Sequence, residues 1–409
     1  MSARRTLLVV SGGGEAVAGI RRAQEMGLHV VVSDADPNAP GLALADDRLL
    51  VSTYDVAGTV AAARRFHKEV RSVDGVICIA SDVALTVASV AQALELPGVP
   101  LELALLSNDK LALKRRLLRA RIATPAFADA ATPADLRSFL AEYGYPLVVK
   151  PVDSRGARGV VLLKDDGDDL GWAHRTALRE SPSGRVIVER FLEGPQISTE
   201  SLVIDGEVHT IGLADRNYEH LERFAPYVIE NGGEMPTRLD ADAQASVSEL
   251  VRRAVTELGI SSGVVKGDIV LCENVPHVIE LAVRLSGGYL CTYEIPLSTG
   301  VDFVGQAIAI ALGDKPNPED LRPTRRLGVA QRWLFPPPGR VHRVSGIEQA
   351  AARTGVALCE MRVREGDLVR PISNHSARAG VVIATGVTRA QALQRALTAI
   401  DDIDIQVSC

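Results

Sequence analysis

The feature that most limits how this chain can fold is its opening alternation of short apolar runs with amphipathic segments. Residues 6–10 read as a buried strand, 15–26 as a helix and 28–33 as a second strand, with Gly12-Gly13-Gly14 at the first strand–helix junction. Strand-like runs at 47–52 and 73–79 then alternate with helical patterns at 56–68 and 83–94. Strands joined through a helix run parallel, and a parallel sheet needs both faces covered. The spacing predicts a doubly wound α/β (Rossmann-like) domain over residues 1–106. Its glycine turn, followed by Asp34, invites a dinucleotide reading, because a helix N-terminus above such a turn cradles phosphate. The pattern GxGxxG would need glycine where Val17 stands. The turn is therefore expected to be a tight connection or a surface for a different ligand.

A length of 409 residues leaves room for roughly two to four domains. Ser107 is placed to cap a helix over 109–119, and Thr124-Pro125 marks a break. A mixed α+β pattern follows, with strands at 146–150, 159–163 and 185–190. Glu193-Gly194-Pro195 then leads into a hairpin turning at Asp205-Gly206. A helix at 241–258, strands at 267–272 and 277–281, and a helix at 303–312 complete a central unit over 107–312. The proline-rich, charged stretch 313–326 reads as a connector. A last α/β module over 313–409 carries helices at 346–354 and 389–400.

Lys and Arg number 45 against 51 Asp and Glu, a net charge of −6. Nucleic-acid backbones call for a net or locally dense basic surface, so no nucleic-acid partner is expected. A small anionic ligand needs only a few local cations and passes this test. No apolar run approaches the roughly 18 residues that span a bilayer. The stretch Met1 to Val10 imitates a secretory leader, but its apolar part is only Leu7 to Val10. Cys78, Cys272, Cys291, Cys359 and Cys409 are odd in number, scattered and without CxxC spacing, which fits reduced thiols. A soluble cytoplasmic protein with no membrane partner is the expectation.

The most informative segment runs from Asp268 to Glu280, where two alternating apolar strands flank a turn near Asn274. Equidistant from that centre, Asp268 and Glu280 should sit opposite one another on one sheet face. Such carboxylates have Cβ atoms about 4.5–5.5 Å apart and repel, unless a cation neutralises them or one is protonated. Oxygen-only donors suit Mg²⁺; the bland alternative is two solvated carboxylates on an exposed face. Arg284, followed by Ser286-Gly287-Gly288, puts a cation and permissive backbone just beyond, a useful arrangement for an anion. Lys150 ends a strand before the loop Ser154-Arg155-Gly156-Ala157-Arg158-Gly159, which can lay N–H groups and cations over phosphates. It is not a Walker A motif, and surface hairpins carry similar residues. The run from Glu189 to Gln196 is an extended segment leaving a strand, able to meet a purine edge or simply to link.

Together, in this order, Asn108-Asp109-Lys110, Val149-Lys150-Pro151 with its glycine loop, the Glu189–Pro195 run, Lys266-Gly267-Asp268 and Glu280 through Arg284 to Gly288 resemble the ATP-grasp superfamily. The likeness covers nearly the whole chain and is closest to the carboxylate–amine ligases of the amino-acid ligase type. It implies an ATP-grasp fold: the N-terminal Rossmann-like domain, a two-lobed ATP-grasp domain with its lid at about 125–190, and the C-terminal module. It also implies that Lys110 and Lys150 contact ATP phosphates, and that Ser154, Arg155, Gly156 and Gly159 belong to a loop closing over them. Glu189, Arg190, Phe191 and Leu192 would hold adenine. Gln196 stands where a glutamate usually meets the ribose. Asp268 and Glu280 would bind Mg²⁺ or Mn²⁺, with Ala282 replacing the asparagine of E-x-N-x-R, a replacement that favours amino-acid ligases over carboxylases. Arg284 and Lys150 are the implied catalytic residues, Arg284 steadying an acyl phosphate or a carboxylate, and Gly287 and Gly288 allow close approach.

The implied activity joins a small carboxylate, such as an amino acid, to an amine through an acyl phosphate, releasing ADP and phosphate. A bicarbonate-using carboxylase, a formyl-phosphate-forming ligase and a non-catalytic ATP-binding module are the alternatives. The polar, aromatic stretch 215–234 falls where the family's substrate loop lies, making His220, Tyr227, Glu230 and Asn231 candidates. Lys266, two residues before Asp268, shares its strand face and is either an anion contact or a partner for a neighbouring carboxylate. The partners expected are the two small substrates, with a homodimer as the assembly in view.

Overall fold

The computed structural model describes residues 4–408; Met1 to Ala3 and Cys409 lie outside the described residues. Thr6–Val10, buried along its whole length, lies between His29–Asp34 and Gly75–Ile77 in a four-stranded parallel sheet that ends in Asp47–Leu50. Helix Val17–Glu25 turns Ile20 and Ala23 inward. The glycine turn is closed by the chain itself. Gly12 N–H donates to Asp34 Oδ2 at 2.8 Å, and Gly41 packs so close that a Cβ there would lie 2.8 Å from Gly12 Cα.

Phe127–Asp129, Val186–Arg190, Leu147–Pro151 and Val161–Leu163 form a separate antiparallel sheet backed by helices Pro133–Tyr143 and Leu170–Arg179. This sheet falls within the stretch 125–190 for which a lid is the expectation. Before it the chain departs from the sequence reading. Ser107 lies in the last turn of a preceding helix, Leu101–Asn108, and donates to Ala104 O, while Asp109 caps Lys110–Arg119 by accepting from Ala112 N–H at 2.8 Å. Asp109 takes an extended backbone between the two helices, which makes it the N-cap.

The central sheet has eight antiparallel strands, in the order Val275–Ala282, Gly263–Cys272, Gln196–Ile204, Glu207–Arg216, Gly233–Met235, Gly328–Leu334, Gly380–Gly386 and Val356–Met361. The last three come from beyond the 313–326 connector. Rather than standing apart, much of the last module therefore extends the central sheet; Gly339–Ser345, Leu368–Val369 and Asp404–Ser408 form a small sheet among themselves. The short strand Gly233–Met235 would otherwise present an open edge, and Gly328–Leu334, buried throughout, covers it. Helix Phe303–Ala311 packs on Val17–Glu25, so one apolar core runs from Leu7 and Ile20 through Phe303 and Ile308 to Trp333 and Ile383. No helix among the described residues is long and apolar enough to cross a membrane.

Candidate active site

A cleft of about 460 Å³ opens between the lid, the central sheet, the N-terminal domain and the segment 375–378. Asp268 and Glu280 are on its wall, paired across the hairpin as expected. The route to that pairing is different. Glu273 and Asn274 both take positive φ, 51° and 65°, so the turn has two residues rather than a centre at Asn274. A regular ladder from it would oppose Asp268 to Ile279; a register shift between Asp268 and Ile269 leaves Ile279 without a partner and brings Glu280 across instead.

Burial alone would raise Asp268, but Arg216 Nη1 at 2.9 Å and the adjoining Lys266 ammonium override it and hold the carboxyl far below its usual range. Ser198 Oγ also donates to it at 3.2 Å. Burial is likewise outweighed at Glu280, lowered chiefly by Lys110, whose Nζ lies 3.2 Å away. Both groups are therefore anionic oxygen donors at neutral pH, the chemistry Mg²⁺ or Mn²⁺ selects. Among the described residues no third His, Cys, Asp or Glu completes a protein cage. That suits Mg²⁺, which keeps places for phosphate oxygens and water.

Lys150 reaches the cleft from the end of Leu147–Pro151, with Nζ 2.8 Å from Glu189 Oε1. Lys114 approaches Glu189 Oε2 at 3.3 Å. The Glu189 carboxylate, on the cleft lining where adenine is expected, lies buried between these two lysines. Burial pushes Lys114 down to about 8, with Glu189 opposing. Lys110 Nζ donates to Ser154 O at 2.7 Å, tying the loop to the carboxylate wall. Arg190, Phe191, Leu192 and Gln196 line the same end of the cleft.

The loop carrying Ser154, Arg155 and Gly156 is folded over the cleft and held from two sides. Arg155 stacks on Tyr54 with Cζ 4.0 Å from the ring centre and donates to Asp82 O at 3.1 Å. Gly156 O accepts from His375 N–H at 2.9 Å, and Arg158 donates to Ser376 Oγ at 2.7 Å. Gly159 faces away: with φ at +70°, a Cβ there would meet Glu180 at 2.9 Å, so it packs behind the loop rather than over a phosphate. Asp82 also grips Arg284, Nε at 2.8 Å and Nη2 at 2.6 Å, and this contact more than offsets burial and keeps Arg284 a permanent cation.

Of the substrate candidates, Glu230, Lys266, Arg284, Gly287 and Gly288 line the cleft. Glu230 is paired with Arg216, whose Nε donates at 2.9 Å, Lys266 is the partner of Asp268, and Gly288 N–H donates to Glu15 Oε2 at 2.6 Å. His220, Tyr227 and Asn231 do not reach it. His220 packs between Phe224 and Phe335, each with ring centres 6.0 Å away, and Tyr227 sets its edge on Trp172. Asn231 is buried, accepting from Trp333 N–H at 2.9 Å and donating to Glu219. These three build the wall behind the lining. Sequence reasoning missed Asp82, Arg216, Glu294 and Arg378. Arg378 is buried, stacks on Trp333 at 4.5 Å and donates Nη2 to Glu230 O at 2.7 Å, while Nε meets no acceptor. Arg216 lay within the polar stretch already singled out, but nothing in the local sequence marks the other three.

Residues 107–288 match the ATP-grasp domain family, 20–98 the ATP-grasp N-terminal domain, and 332–408 the L-amino acid ligase C-terminal domain 2. An uncharacterized protein of Sinorhizobium fredii, y4rH, is 27% identical over 412 residues, covering 97% of this chain and 83% of that one. The L-amino acid ligase from Bacillus licheniformis superposes with a TM-score of 0.84 at 22% identity, covering all of both chains. The biotin carboxylase domain of the Hydrogenobacter thermophilus 2-oxoglutarate carboxylase, solved with MgADP and bicarbonate, has a TM-score of 0.75 at 19% identity over 100% of this chain and 92% of that one. The arrangement described above is thus the ATP-grasp fold.

Proposed function

Because the chain belongs to the ATP-grasp superfamily, we propose that it is an ATP-dependent ligase that activates a small carboxylate as an acyl phosphate and couples it to an amine. ADP and phosphate are released. The observation that carries this reading is one cleft wall: Asp268 opposite Glu280, with Arg284 just beyond and Lys110 and Lys150 facing them. The match of residues 332–408 to an amino-acid ligase domain supports it. We take 1–106, 107–312 and 313–409 as the working units, with the sheet continuous across the last boundary.

A carboxylate is a poor electrophile, and phosphorylation gives it a leaving group. Phosphoryl transfer depends mainly on positioning and electrostatics. Lys110 and Lys150 meet phosphate oxygens, and the 154–158 loop closes over them to keep water from the acyl phosphate. Phe191, Leu192 and Gln196 flank the adenosine, Gln196 accepting a ribose hydrogen bond without the strength of a charged partner. Asp268 and Glu280 would hold Mg²⁺, which would supply neutralisation of the triphosphate charge. Arg284, aimed by Asp82, offsets charge on the carboxylate as it is phosphorylated and then on the tetrahedral adduct formed by the amine.

The test is ADP release on mixing the protein with MgATP and pairs of small carboxylates and amines, with mass analysis of products. Amine-dependent release with an amide product is expected. Release that depends on bicarbonate would favour a carboxylase. ATP binding without substrate-dependent release would leave a regulatory module, the reading that Ala282 and Gln196 prompt. Arg284→Ala should lower kcat by about 10²–10³-fold, the range for a donor aimed at developing charge, with ATP binding retained in equilibrium titration. An unaltered rate removes Arg284 from the reaction.

A further inference from the structure

Eight carboxylates line the cleft, and seven of them stand in ion pairs. Among the described residues Glu294 is the exception. The residue is 2% exposed and Oε2 finds no hydrogen-bond partner. The nearby cations are already engaged: Arg332 with Glu234 and Glu219, Arg389 with Asp215 and Glu234, and Arg216 with Glu230 and Asp268. Glu294 closes the π-helical turn Leu290–Glu294, a local widening that recurs at functional sites. Its neighbours at this end are small: a Cβ on Gly233 would lie 3.3 Å from Oε2, and Ala214 lines the cleft beside them. A buried carboxyl without a partner costs free energy that a ligand cation would recover.

We propose that Glu294 selects a substrate whose side chain carries a cationic nitrogen group, an ammonium, guanidinium or amidinium, in addition to any α-ammonium and apart from the atoms that react. This rests on the ligase reading and adds the substrate's charge to it. Burial, with Glu230 and Glu234 close by and Arg332 opposing, pushes Glu294 up to about 8. Asp215 and Arg216, on the strand packed against this turn, are both paired elsewhere. Below that pH the carboxyl is protonated, and a cation binds best to the ionised form. Cation binding at pH 7 therefore releases a proton, and affinity rises with pH up to about 8.

The experiment pairs 2,3-diaminopropionate, ornithine, lysine and arginine with neutral analogues of matched length, norvaline, norleucine and citrulline among them, in the ADP-release assay. Isothermal titration of the same probes into the MgADP-loaded protein runs alongside, in buffers of different ionisation enthalpy. At least one cationic probe should exceed its neutral analogue by tenfold or more in kcat/KM and in affinity, with proton release on binding. Glu294→Gln should abolish that preference and the proton release, while neutral analogues change less than twofold. Equal use of neutral and cationic probes by the native chain overturns the proposal, as does a preference that survives in Glu294→Gln. If no probe elicits ADP release, the ligase reading fails, while the titration still decides Glu294.

Discussion

Exchanging Glu280 for glutamine is expected to lower turnover by about a thousandfold while leaving the fold in place. Glutamine keeps the shape and one acceptor oxygen but removes the charge. Stabilisation of transition-state charge by a bound metal is worth several kcal/mol, and each 1.36 kcal/mol is about tenfold in rate. The structural cost is small. The Glu280 side chain is 31% exposed and pairs with Lys110 at 3.2 Å, a partly exposed contact worth at most about 1 kcal/mol. Asp268→Asn would be a poorer test, because it also strips Arg216 and Lys266 of their shared counter-charge inside the protein. ADP release across a Mg²⁺ titration and a denaturant melt, run on the same preparation, check both halves. Near-native turnover removes Glu280 from the metal site.

That Glu280 can be singled out reflects what a sequence of this kind reveals. Strand periodicity about a turn centred on Asn274 assigns Asp268 and Glu280 to one face, a pairing that holds in the structure because the register shift beside Asp268 compensates for the two-residue turn. The glycine turn after Thr6–Val10 is legible too, and its failure to complete GxGxxG agrees with a turn closed by Asp34 and Gly41. The bulge at Ile279 is not legible, because one extra residue in a strand changes no apolar period until its partner is known.

Convergence from distant segments is what the sequence conceals. Asp82 aims Arg284 from 202 residues away, and Arg378 donates to Glu230 from 148 residues away. Neither residue stands in a patterned run. Strand 328–334 reads as part of a later module, since periodicity says which face is buried but not which edge it joins. His220, Tyr227 and Asn231 were plausible by composition, yet aromatic and amide groups serve a loop's inner packing as readily as a ligand. Asn231 shows why: Trp333 N–H needed an acceptor, and the amide supplies it. The ion pairing of Glu189 is hidden likewise, since its strand register is clear but nothing local marks Lys114, on a helix 75 residues earlier, as its neighbour.

Glu189→Gln should lower stability by about 3–5 kcal/mol, the cost of removing one partner from a buried ion pair. Glu189 is 2% exposed and Lys114 1%, so neither can turn to water. In the native protein burial would raise the Glu189 carboxyl, but Lys114 and Lys150 override it and lower it. Its contribution is therefore present above the usual carboxylate range and is lost as pH falls through the lowered value. Burial already draws Lys114 down to about 8 against the pull of Glu189. Without that carboxylate Lys114 falls further, so in the variant it sheds its proton on folding at lower pH. The unfolded chain then binds more protons than the folded one, and stability rises with pH. The deficit relative to the native protein should accordingly narrow as pH is raised toward 8, seen as converging urea midpoints between pH 6 and 8. Adding Lys114→Met to Glu189→Gln should recover part of the loss, because one of the two buried charges left uncompensated goes with it, Lys150 keeping the other. A uniform deficit across this pH range, unrelieved by the second exchange, would show that Glu189 acts through packing rather than charge.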